Sequence, residues 1–471
     1  MGAVSSPCFV IFPFMAHGHT IPLLYLVRLL RRRGISVAVF TTPANAPSIR
    51  SFLKDDDIKS TSIIELPFPN KPIDGVPPGV ENTHDLPSIS SFFEFVNVTT
   101  LMRPDFENAL EGLHPVGCII SDAFLGWTQE TAAKLGVPRY FFFGMSGFAT
   151  TVHRVLERDR PHAHTSSLDE PFGFPDFPGL ELTRNHFEPP FNELQPSGPQ
   201  VDFILQLGVT MVKSQGLIVN SFYELETRYL EYWNNNIGPK AWCVGPLCLA
   251  AKPPPTSENQ PWIQWLDHNS PVLYVAFGTQ AEISAEQLKE IAEGLERSGV
   301  KFLWVIRPKM MKHLEEGFEE RVKDRGLMVK VWANQNEILM HKSVTGFLSH
   351  CGWNSVMESV CAKVPILALP FMAEQHLNAR FVAAEECGVG LRVMPRGGSV
   401  RGFVEAEEVE KMVRELMDGS RGAEVRKRVE EVGEAAAEAM RHGGSSWVGL
   451  GGLIEDASGG KEALPIVAIT Q

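Results

Sequence analysis

Two series of short apolar runs, separated by longer amphipathic stretches, extend along the chain. Residues 8–14 (CFVIFPF) open the first series, and residues 272–277 (VLYVAF) open the second. Apolar runs of about four to eight residues are typical of strands that are buried on both faces of a parallel sheet. The amphipathic stretches between them predict helices that cover those faces. The pattern therefore predicts two α/β units, one following the other.

The predicted strands and helices alternate in both series. Strands are expected at residues 8–14, 35–41, 62–66, 117–121, 139–143, 216–220, 242–247, 272–279, 302–306, 328–331, 344–348, 366–369 and 390–393. Helices are expected at residues 21–33, 262–267, 285–297, 353–362, 373–387, 404–417, 423–441 and 446–456. The stretches 67–87 and 161–199 lack a regular pattern, so we interpret them as irregular loops.

The length of the chain indicates more than one domain. A chain of 471 residues is longer than a single hydrophobic core usually supports, so two domains are expected. The proline-rich, polar stretch 251–261 (AKPPPTSENQP) is the predicted linker between a doubly wound domain at 1–250 and a second at 262–442. A helix at 443–458 is expected to pack back on the first domain, and 459–471 to form a flexible tail.

Composition and charge exclude several classes of protein. The chain has 44% hydrophobic and 21% charged residues, as globular proteins do. Its net charge of −13 argues against nucleic-acid or anionic-membrane partners. The seven scattered cysteines show no metal-binding spacing and do not favour a disulfide framework. Because the sequence shows neither a signal-peptide pattern nor an apolar run of about 18 residues, we expect a cytoplasmic monomer without a membrane span.

The most informative chemistry begins where the predicted strand 344–348 ends. A helix that starts at Trp353 presents free backbone N–H groups and a positive dipole end, which attract phosphate. His350 at the strand tip can donate a further hydrogen bond to the same anion. Asn354 and Ser355 lie in the first turn, where N-capping is the ordinary structural alternative.

Hydroxyl-binding groups surround this corner. Glu358 lies one turn inside the helix, and its carboxylate can accept hydrogen bonds from the hydroxyls of a sugar. Glu374 and Gln375 follow the next strand and supply a second carboxylate and an amide. Trp332 offers a flat face for a base, and Gln335 offers an amide for its edge. A diphosphate flanked by two hydroxyl-rich sugars would satisfy all of these groups.

The strand that opens the second series also ends in a possible phosphate contact. Gly278 allows a close approach of the backbone, and Thr279 offers a hydroxyl.

A histidine and an aspartate follow two strands of the first series. His17 and His19 lie in the predicted loop after the first strand, and Asp122 follows the fourth strand. A His and an Asp at neighbouring strand ends can deprotonate a hydroxyl, since the imidazole accepts the proton and the carboxylate stabilises the imidazolium. The structural alternatives are a helix N-cap for Asp122 and an ordinary loop histidine for His19.

The stretch from Trp332 to Gln375 closely resembles the signature box of plant family-1 UDP-dependent glycosyltransferases. It has Trp at the first place, Gln at the fourth, HCGWNS in the middle, then Glu, and an acidic residue followed by Gln at its end. The loop after the first strand and the segment SDAFLGW resemble the places where the family keeps its catalytic base and the Asp that orients it. The sequence departs from the family at Asn334, where Pro is usual, and at Ala276, where Ser is usual.

This resemblance implies a GT-B fold, which is an α/β architecture of two facing Rossmann-like, doubly wound domains with a cleft between them. It implies an inverting transfer from a UDP-sugar, bound by the second domain, to a small lipophilic acceptor, bound by the first. His19 would be the general base and Asp122 its orienting partner, with no metal and no cofactor beyond the UDP-sugar co-substrate. The implied UDP-sugar-binding residues are Gly278, Thr279, Trp332, Ala333, Gln335, His350, Gly352, Trp353, Asn354, Ser355, Glu358, Glu374 and Gln375.

The resemblance also bears on donor and acceptor. Trp353 together with Gln375 is the pairing that the family associates with UDP-glucose, whereas galactose, xylose and rhamnose donors remain rivals. The expected acceptor is a flavonoid or a related phenol of plant secondary metabolism, and the sequence does not decide between O- and C-linkage. The expected pocket residues for this acceptor are Phe14, Phe93, Phe124, Phe142, Met145 and Met372.

Other classes of protein fit less well. A UDP-sugar epimerase or a carrier-lipid glycosyltransferase shares the GT-B plan, but the pair His19–Asp122 and the signature box argue against both. A nicotinamide-dependent oxidoreductase needs Gly-x-Gly-x-x-Gly directly after a strand, and neither the first strand nor residues 272–279 have it. A binding protein without activity would not need both His19 and Asp122.

Overall fold

Two parallel β-sheets, each with helices packed against it, form the framework of the molecule. The computed structural model of the protein describes residues 7–54, 61–69, 75–113, 115–250, 260–384 and 386–459. Most of the predicted linker 251–261 and nearly all of the predicted tail 459–471 therefore lie outside the described residues. Below, the first half means the sheet that contains residue 8 with its helices, and the second half means the sheet that contains residue 272.

The strands follow the predicted series closely. In chain order they are β1 (Cys8–Phe12), β2 (Ser36–Thr41), β3 (Thr61–Glu65), β4 (Val116–Asp122), β5 (Arg139–Phe142), β6 (Phe172–Phe174), β7 (Phe177–Leu182), β8 (Gly216–Val219), β9 (Ala241–Cys243), β10 (Val272–Ala276), β11 (Lys301–Val305), β12 (Gly326–Val329), β13 (Val344–Ser349), β14 (Ile366–Ala368) and β15 (Gly390–Arg392).

The helices lie between these strands and extend past the last of them. In chain order they are α1 (His17–Arg32), α2 (Ala46–Leu53), α3 (Phe92–Val98), α4 (Arg103–Glu111), α5 (Thr128–Leu135), α6 (Gly147–Asp159), α7 (Pro199–Lys213), α8 (Tyr223–Asn236), α9 (Pro261–His268), α10 (Ala285–Ser298), α11 (Pro308–Met311), α12 (Phe318–Val322), α13 (Gln335–Leu339), α14 (Trp353–Cys361), α15 (Gln375–Val382), α16 (Ala406–Asp418), α17 (Ser420–Met440) and α18 (Ser445–Ala457).

The order of the strands determines where ligands can bind. The first sheet has the order β3-β2-β1-β4-β5-β8-β9 and the second has the order β12-β11-β10-β13-β14-β15, with parallel pairing throughout both. The strand order reverses between β1 and β4 in the first sheet and between β10 and β13 in the second. Such switch points open a crevice at the carboxyl ends of the strands, where ligands of open α/β sheets bind.

Helix α1 begins earlier than the sequence predicted. It starts at His17 rather than at residue 21, so His17 and His19 lie in its first turn and not in a loop. The prediction placed Pro22 close to the helix start, where proline is common. The structure has Pro22 inside the helix, where its missing N–H cannot bond to the carbonyl of Gly18 four residues earlier.

Two other predicted segments also differ from the structure. The predicted helix 373–387 is shorter, because α15 ends at Val382. The stretch 161–199, predicted to be irregular, contains the antiparallel pair β6–β7. β6 has the burial pattern buried–exposed–buried, but β7 has two exposed residues in succession, so the pair shows neither a continuous apolar run nor a regular alternation in the sequence.

The two halves share a hydrophobic core. Phe148 of α6 stacks on Phe381 of α15, with ring centroids 5.2 Å apart. Trp353 of α14 packs in the same core and is 1% exposed. Continuous apolar packing of this kind stabilises one relative arrangement of the two sheets.

The last described helix packs on the first half. The guanidinium of Arg33 lies over the ring of Trp447 at 4.0 Å from its centroid, and the hydroxyl of Tyr140 donates to the carboxylate of Asp456. Within the described part of the chain, no helix is long and apolar enough to cross a membrane.

Candidate active site

His19 and Asp122 meet at the switch point of the first sheet. Asp122 is the last residue of β4, and His19 lies in the first turn of α1, which follows the adjacent strand β1. The Nδ1 atom of His19 donates to Oδ2 of Asp122 across 2.7 Å. Because Nδ1 is occupied in this way, Nε2 is the ring atom that can accept a proton.

Asp122 also has the structural role that the sequence left open. Its Oδ1 atom accepts the backbone N–H of Phe124 at 3.0 Å, so the carboxylate caps the turn after β4 while it binds His19. The side chain of Asp122 is 0% exposed, whereas that of His19 is 22% exposed. The cap therefore fixes the carboxylate, and the imidazole remains open to a ligand.

A buried arginine lies behind this pair. Arg139 donates to the hydroxyls of Ser121 and Thr128 at 2.8 and 3.0 Å and to the carbonyl of Asp122 at 3.1 Å. Burial lowers the pKa of Arg139 to about 9, and the charge of Asp122 opposes that shift. The sequence analysis missed Arg139 because it lies inside an apolar strand and resembles no motif.

The environment of His19 makes it a stronger base. Burial alone would lower the pKa of its imidazole, but the charge and the hydrogen bond of Asp122 outweigh burial and raise that pKa above its ordinary value. The more distant carboxylate of Glu374 acts in the same direction. A histidine of this kind can take a proton from a hydroxyl, and a carboxylate then stabilises the imidazolium.

At the switch point of the second sheet, His350 lies between two glycines. A Cβ atom on Gly278 would stand 2.8 Å from Nε2 of His350, and one on Gly352 would stand 2.7 Å from the same atom. Gly278 also has a φ of +72°, a region that glycine occupies readily. Burial lowers the pKa of His350 to about 4, so its ring is neutral at about pH 7 and retains one N–H donor.

The N-terminus of α14 is adjacent to His350. Gly352 is its N-cap residue and has no side chain to cap the helix, whereas the carboxylate of Glu374, from another segment, accepts the backbone N–H of Trp353. The alternative that Asn354 or Ser355 serves as an N-cap is therefore wrong. Free N–H groups and the helix dipole at this end favour an anion.

The predicted groups for a nucleoside converge beside α14. The amide nitrogen of Gln335 donates to Ser355 Oγ at 2.9 Å and to Glu358 Oε2 at 2.6 Å. Burial raises the pKa of Glu358 to about 7, although the bond from Gln335 opposes that shift. Trp332 is 71% exposed, so its ring is open to a stacking partner. Asn334, the departure from the family pattern, caps α13 through the N–H of Glu337.

The remaining predicted donor residues are distributed around this corner. Ala333 is buried next to the exposed ring of Trp332, and Gly278 and Thr279 are exposed at the end of β10. Among the described residues, no three His, Cys, Asp or Glu side chains are placed to hold a metal ion.

Direct hydrogen bonds join the two switch points. The amide of Asn354 donates to the carbonyl of Gly18 across 2.6 Å, and its oxygen accepts from the amide of Asn220 at 3.1 Å. The carbonyl of Gly18 is the one that Pro22 cannot use within α1. The first turn of α14 therefore lies against the first turn of α1, one residue from His19.

Two side chains of the signature box make hydrogen bonds within the protein that limit what they can offer to a ligand. The indole N–H of Trp353 donates to the carbonyl of Asn220 at 2.8 Å, and its ring is buried, so only its backbone can contact a donor. The amide oxygen of Gln375 accepts the backbone N–H groups of Phe371 and Met372 at 3.0 and 3.1 Å. Only the amide N–H groups of Gln375 remain for a sugar hydroxyl.

Glu374 lies between the two halves. Burial raises the pKa of its carboxylate, and hydrogen bonds from its own backbone N–H, from Asn378 and from the backbone N–H of Trp353 oppose that shift. Its charge also raises the pKa of His19. The carboxylate is therefore close both to the N-terminus of α14, the predicted phosphate site, and to the imidazole of His19.

Aromatic side chains surround the open side of His19. The ring of Phe124 lies 5.5 Å from that of His19, and Phe92 lies 5.1 Å from Phe124. Phe93, Phe124, Met145 and Met372 are partly exposed, as a pocket lining requires. The sequence analysis missed three half-buried neighbours of this cluster, Phe92, Phe143 and Phe203.

Two residues predicted for the acceptor pocket belong to the core instead. Phe14 and Phe142 are each 0% exposed, so they line no open pocket in this structure. Phe142 lies in β5 and packs in the core shared by both halves, while Phe14 packs beneath Phe92 and Phe124. Both lie at the ends of apolar runs, where a sequence pattern cannot separate core from pocket.

The chain is similar to known glycosyltransferases over nearly all of its length. The family model described as "UDP-glucoronosyl and UDP-glucosyl transferase" matches residues 211–411. The chain is 46% identical to UDP-glycosyltransferase 90A1 of Arabidopsis thaliana over 462 residues, covering 95% of both chains. It is 34% identical to UDP-glucose flavonoid 3-O-glucosyltransferase 7 of Fragaria ananassa, covering 94% of each.

A solved structure is similar over the same length. Phytolacca americana UGT2, complexed with UDP-2fluoro-glucose and pterostilbene, superposes with a TM-score of 0.80 at 30% identity. The match covers 96% of this chain and 100% of the other.

Proposed function

Since the chain belongs to the plant family-1 UDP-dependent glycosyltransferases and has their GT-B fold, we propose which sugar this enzyme transfers, to which acceptor and through which residues. It transfers glucose from UDP-glucose to a hydroxyl of a small phenolic acceptor such as a flavonoid, with inversion at the anomeric carbon. His19 is the general base, and Asp122 orients it.

One contact carries this proposal. The hydrogen bond of 2.6 Å between the amide of Asn354 and the carbonyl of Gly18 brings the first turn of α14 next to His19. A donor held at α14 then presents its sugar to an acceptor whose hydroxyl contacts the imidazole. Proximity of this kind makes a large contribution to catalysis because it removes the entropic cost of bringing two reactants together.

The acceptor is activated in the first half. Nε2 of His19 takes the proton of the acceptor hydroxyl, and Asp122, bonded to Nδ1 at 2.7 Å, stabilises the imidazolium that forms. The acceptor oxygen forms a bond to the anomeric carbon, while the bond from that carbon to the diphosphate oxygen breaks. Attack from the face opposite the leaving UDP inverts the configuration.

The leaving group is stabilised in the second half. Negative charge builds on the diphosphate as UDP departs, and the N–H groups at the start of α14 that Glu374 leaves free face that charge. The neutral ring of His350 and the hydroxyl of Thr279 donate further hydrogen bonds. Trp332 stacks on the uracil, and Glu358 accepts from the ribose hydroxyls.

Glucose is favoured as the donor sugar, and a planar phenol as the acceptor. The carboxylate of Glu374 and the free N–H groups of Gln375 match adjacent hydroxyls of a hexose. The cluster around Phe124 favours a flat aromatic acceptor, since aromatic rings pack well edge to face and offset. The relative from Fragaria ananassa named for flavonoid glucosylation supports this acceptor class.

Replacement of His19 tests the proposal. We expect His19→Ala to lower kcat/KM by about a hundredfold to ten-thousandfold, the usual contribution of a general base, while the Kd for UDP stays unchanged. His17→Ala is a matched control. His17 lies in the same helical turn as His19, but its ring stacks on that of His84, with centroids 4.8 Å apart, and makes no hydrogen bond to Asp122. Steady-state kinetics with UDP-glucose and a flavonol, with calorimetry for UDP, measure both.

Two results would contradict the proposal. Transfer by His19→Ala at a rate near that of the wild type would show that another group is the base. A mass-spectrometric screen of UDP-sugars against phenols tests the donor. If the wild type transferred another sugar but not glucose, the proposed donor sugar would be wrong.

A further inference from the structure

Asn378 lies one helical turn after Glu374 and is buried between the two halves. Its side chain is 0% exposed. The amide nitrogen donates to the carbonyl of Cys351 at 3.0 Å and to Oε1 of Glu374 at 3.3 Å. The amide oxygen accepts the hydroxyl of Ser146 at 3.1 Å. Both N–H groups and the oxygen of this amide are therefore in use.

The chemistry of these contacts requires an amide. The side chain must donate twice on one side and accept once on the other, which an aspartate cannot do because a carboxylate only accepts. A buried polar group with all of its hydrogen bonds satisfied has one preferred orientation. The orientation of Asn378 is thus fixed by partners on three separate segments.

Two of these partners belong to the donor side of the site. Cys351 precedes the N-terminus of α14 and has a φ of +63°, which is unfavourable for a residue other than glycine. The bond from Asn378 to its carbonyl holds this corner in place. Glu374, the other partner, is a half-buried carboxylate near His19 that needs donors to remain charged.

The third partner belongs to the first half. Ser146 is the N-cap residue of α6, and its hydroxyl oxygen accepts the N–H of Ala149 at 2.9 Å while it donates to Asn378. Only with the two halves in contact can this bond form. One amide therefore links the first half, through Ser146, to the carboxylate of Glu374.

We propose that Asn378 is a positioning residue that holds the carboxylate of Glu374 for the donor sugar, and that Ser146 of the first half fixes its orientation. This role rests on the proposed function, since it assumes that Glu374 binds the sugar of UDP-glucose. Recognition of the sugar is then completed by contact between the halves, whereas recognition of UDP needs the second half alone.

The test compares UDP with the UDP-sugar on the same protein. In Asn378→Asp, the new carboxylate cannot donate and repels Glu374, so the affinity for UDP-glucose should fall by about ten- to a hundredfold, as for a lost hydrogen bond to a charged group. The Kd for UDP, which has no sugar, should rise by a clearly smaller factor, because UDP is affected only by the lost bond to the carbonyl of Cys351. Calorimetry gives both constants, and the KM for UDP-glucose should rise more than kcat falls.

Ser146→Ala supplies a second variant with a matched control. Ser284 is also an N-cap serine, whose hydroxyl oxygen accepts the N–H of Gln287 at 3.1 Å in α10. Both alanine variants lose a helix cap, but only Ser146→Ala loses a bond to Asn378. We expect only Ser146→Ala to weaken the binding of UDP-glucose relative to that of UDP. The expected factor is about three- to tenfold, as for the loss of a neutral hydrogen bond.

The possible outcomes separate the two proposals. Equal weakening of UDP and UDP-glucose in Asn378→Asp would mean a purely structural role and would overturn the inference. If that variant does not fold, Ser146→Ala against Ser284→Ala decides by the same ratio. A wild type that transfers no glucose from UDP-glucose would instead contradict the proposed function, and the ratio would then be measured with the UDP-sugar that it does use.

Discussion

The basicity of His19 depends on two carboxylates from different halves of the molecule. Asp122 contacts the imidazole directly at 2.7 Å, and Glu374 acts on it from the second half. Since burial alone would favour the neutral ring, the net rise in the pKa of His19 is a property of these neighbours. Replacing either neighbour should therefore change the pH at which the enzyme works.

We expect Asp122→Asn to move the acid limb of the kcat/KM profile to lower pH. His19 must be unprotonated to act as a base, so activity falls as the pH falls through its raised pKa. Without the charge of Asp122, burial dominates and the pKa of His19 drops below its present value. The plateau should also fall, because the imidazolium loses its stabilising charge. Rate measurements from about pH 5 to about pH 9 test this.

Asp85→Asn is the control for this change. Asp85 lies 3.2 Å from a different histidine, His84, so its loss should leave the acid limb in place. An acid limb that stays at the same pH in Asp122→Asn would contradict the assignment of His19 as the titrating base.

The sequence was sufficient for some residues of the site and insufficient for others. The closeness of His19 and Asp122 could be predicted, because both follow strands that pair in parallel and whose ends meet at one edge. The inward direction of Trp353 and the engaged oxygen of Gln375 could not, since side-chain direction depends on neighbours far away in the chain. Asn378 was missed for the same reason.

Among the elements, the loop after β10 is built around the ring of His350. Gly278 leaves room for that ring and has a φ of +72°. An alanine there meets two separate obstacles, the unfavourable backbone conformation and the imidazole at 2.8 Å. The backbone conformation affects stability alone, whereas the contact with the imidazole of His350 also affects the donor site.

We expect Gly278→Ala to weaken UDP binding by about tenfold or more, because His350 has to leave its position. Gly299 is a matched control, since it also has a φ of +72° but no described atom lies within 4 Å of its Cβ position. Both variants should lose about 1–2 kcal/mol of unfolding free energy, but only Gly278→Ala should lose affinity for UDP. Chemical denaturation and calorimetry measure the two effects. Equal Kd values for UDP in both variants would contradict the role of this loop.

The boundaries of elements were less predictable than their existence. The strands of both sheets follow from apolar runs, which depend on local sequence. The start of α1 does not, because Pro22 is compatible with a helix start and is found instead inside the helix. The pair β6–β7 was missed because its strands mix buried and exposed residues and contain no continuous apolar run.

On the scale of the whole molecule, α18 connects the end of the described chain to the first half. Gly452 of this helix packs against Trp242, since a Cβ on that glycine would stand 2.6 Å from the indole ring. Gly451, its neighbour in the same helix, has space, with Arg33 at 3.8 Å. The two glycines therefore have the same helix propensity but different surroundings.

We expect Gly451→Ala to raise the free energy of unfolding by about 0.5–1 kcal/mol, the usual gain for alanine over glycine within a helix. Gly452→Ala should lower it by about 1–3 kcal/mol, because overpacking against Trp242 outweighs that gain. Urea denaturation of both variants measures the difference. A stabilised Gly452→Ala would show that α18 does not pack closely on the first half.

The arrangement of two doubly wound units was predictable from the sequence, but their mutual contacts were not. Each unit follows from its own apolar runs and amphipathic stretches. The contact of Asn354 with Gly18, at 2.6 Å, involves residues from different units, and no local pattern encodes it. Such contacts require the folded structure.

The proline in α1 has a consequence for hybrid enzymes. Because Pro22 leaves the carbonyl of Gly18 free for Asn354, the join between the halves depends on positions in both. A hybrid that combines this first half with the second half of a relative keeps the join wherever the incoming half has an amide in place of Asn354. The reverse combination needs the proline, so Pro22 and Asn354 are the first positions to compare when parents are chosen for recombination.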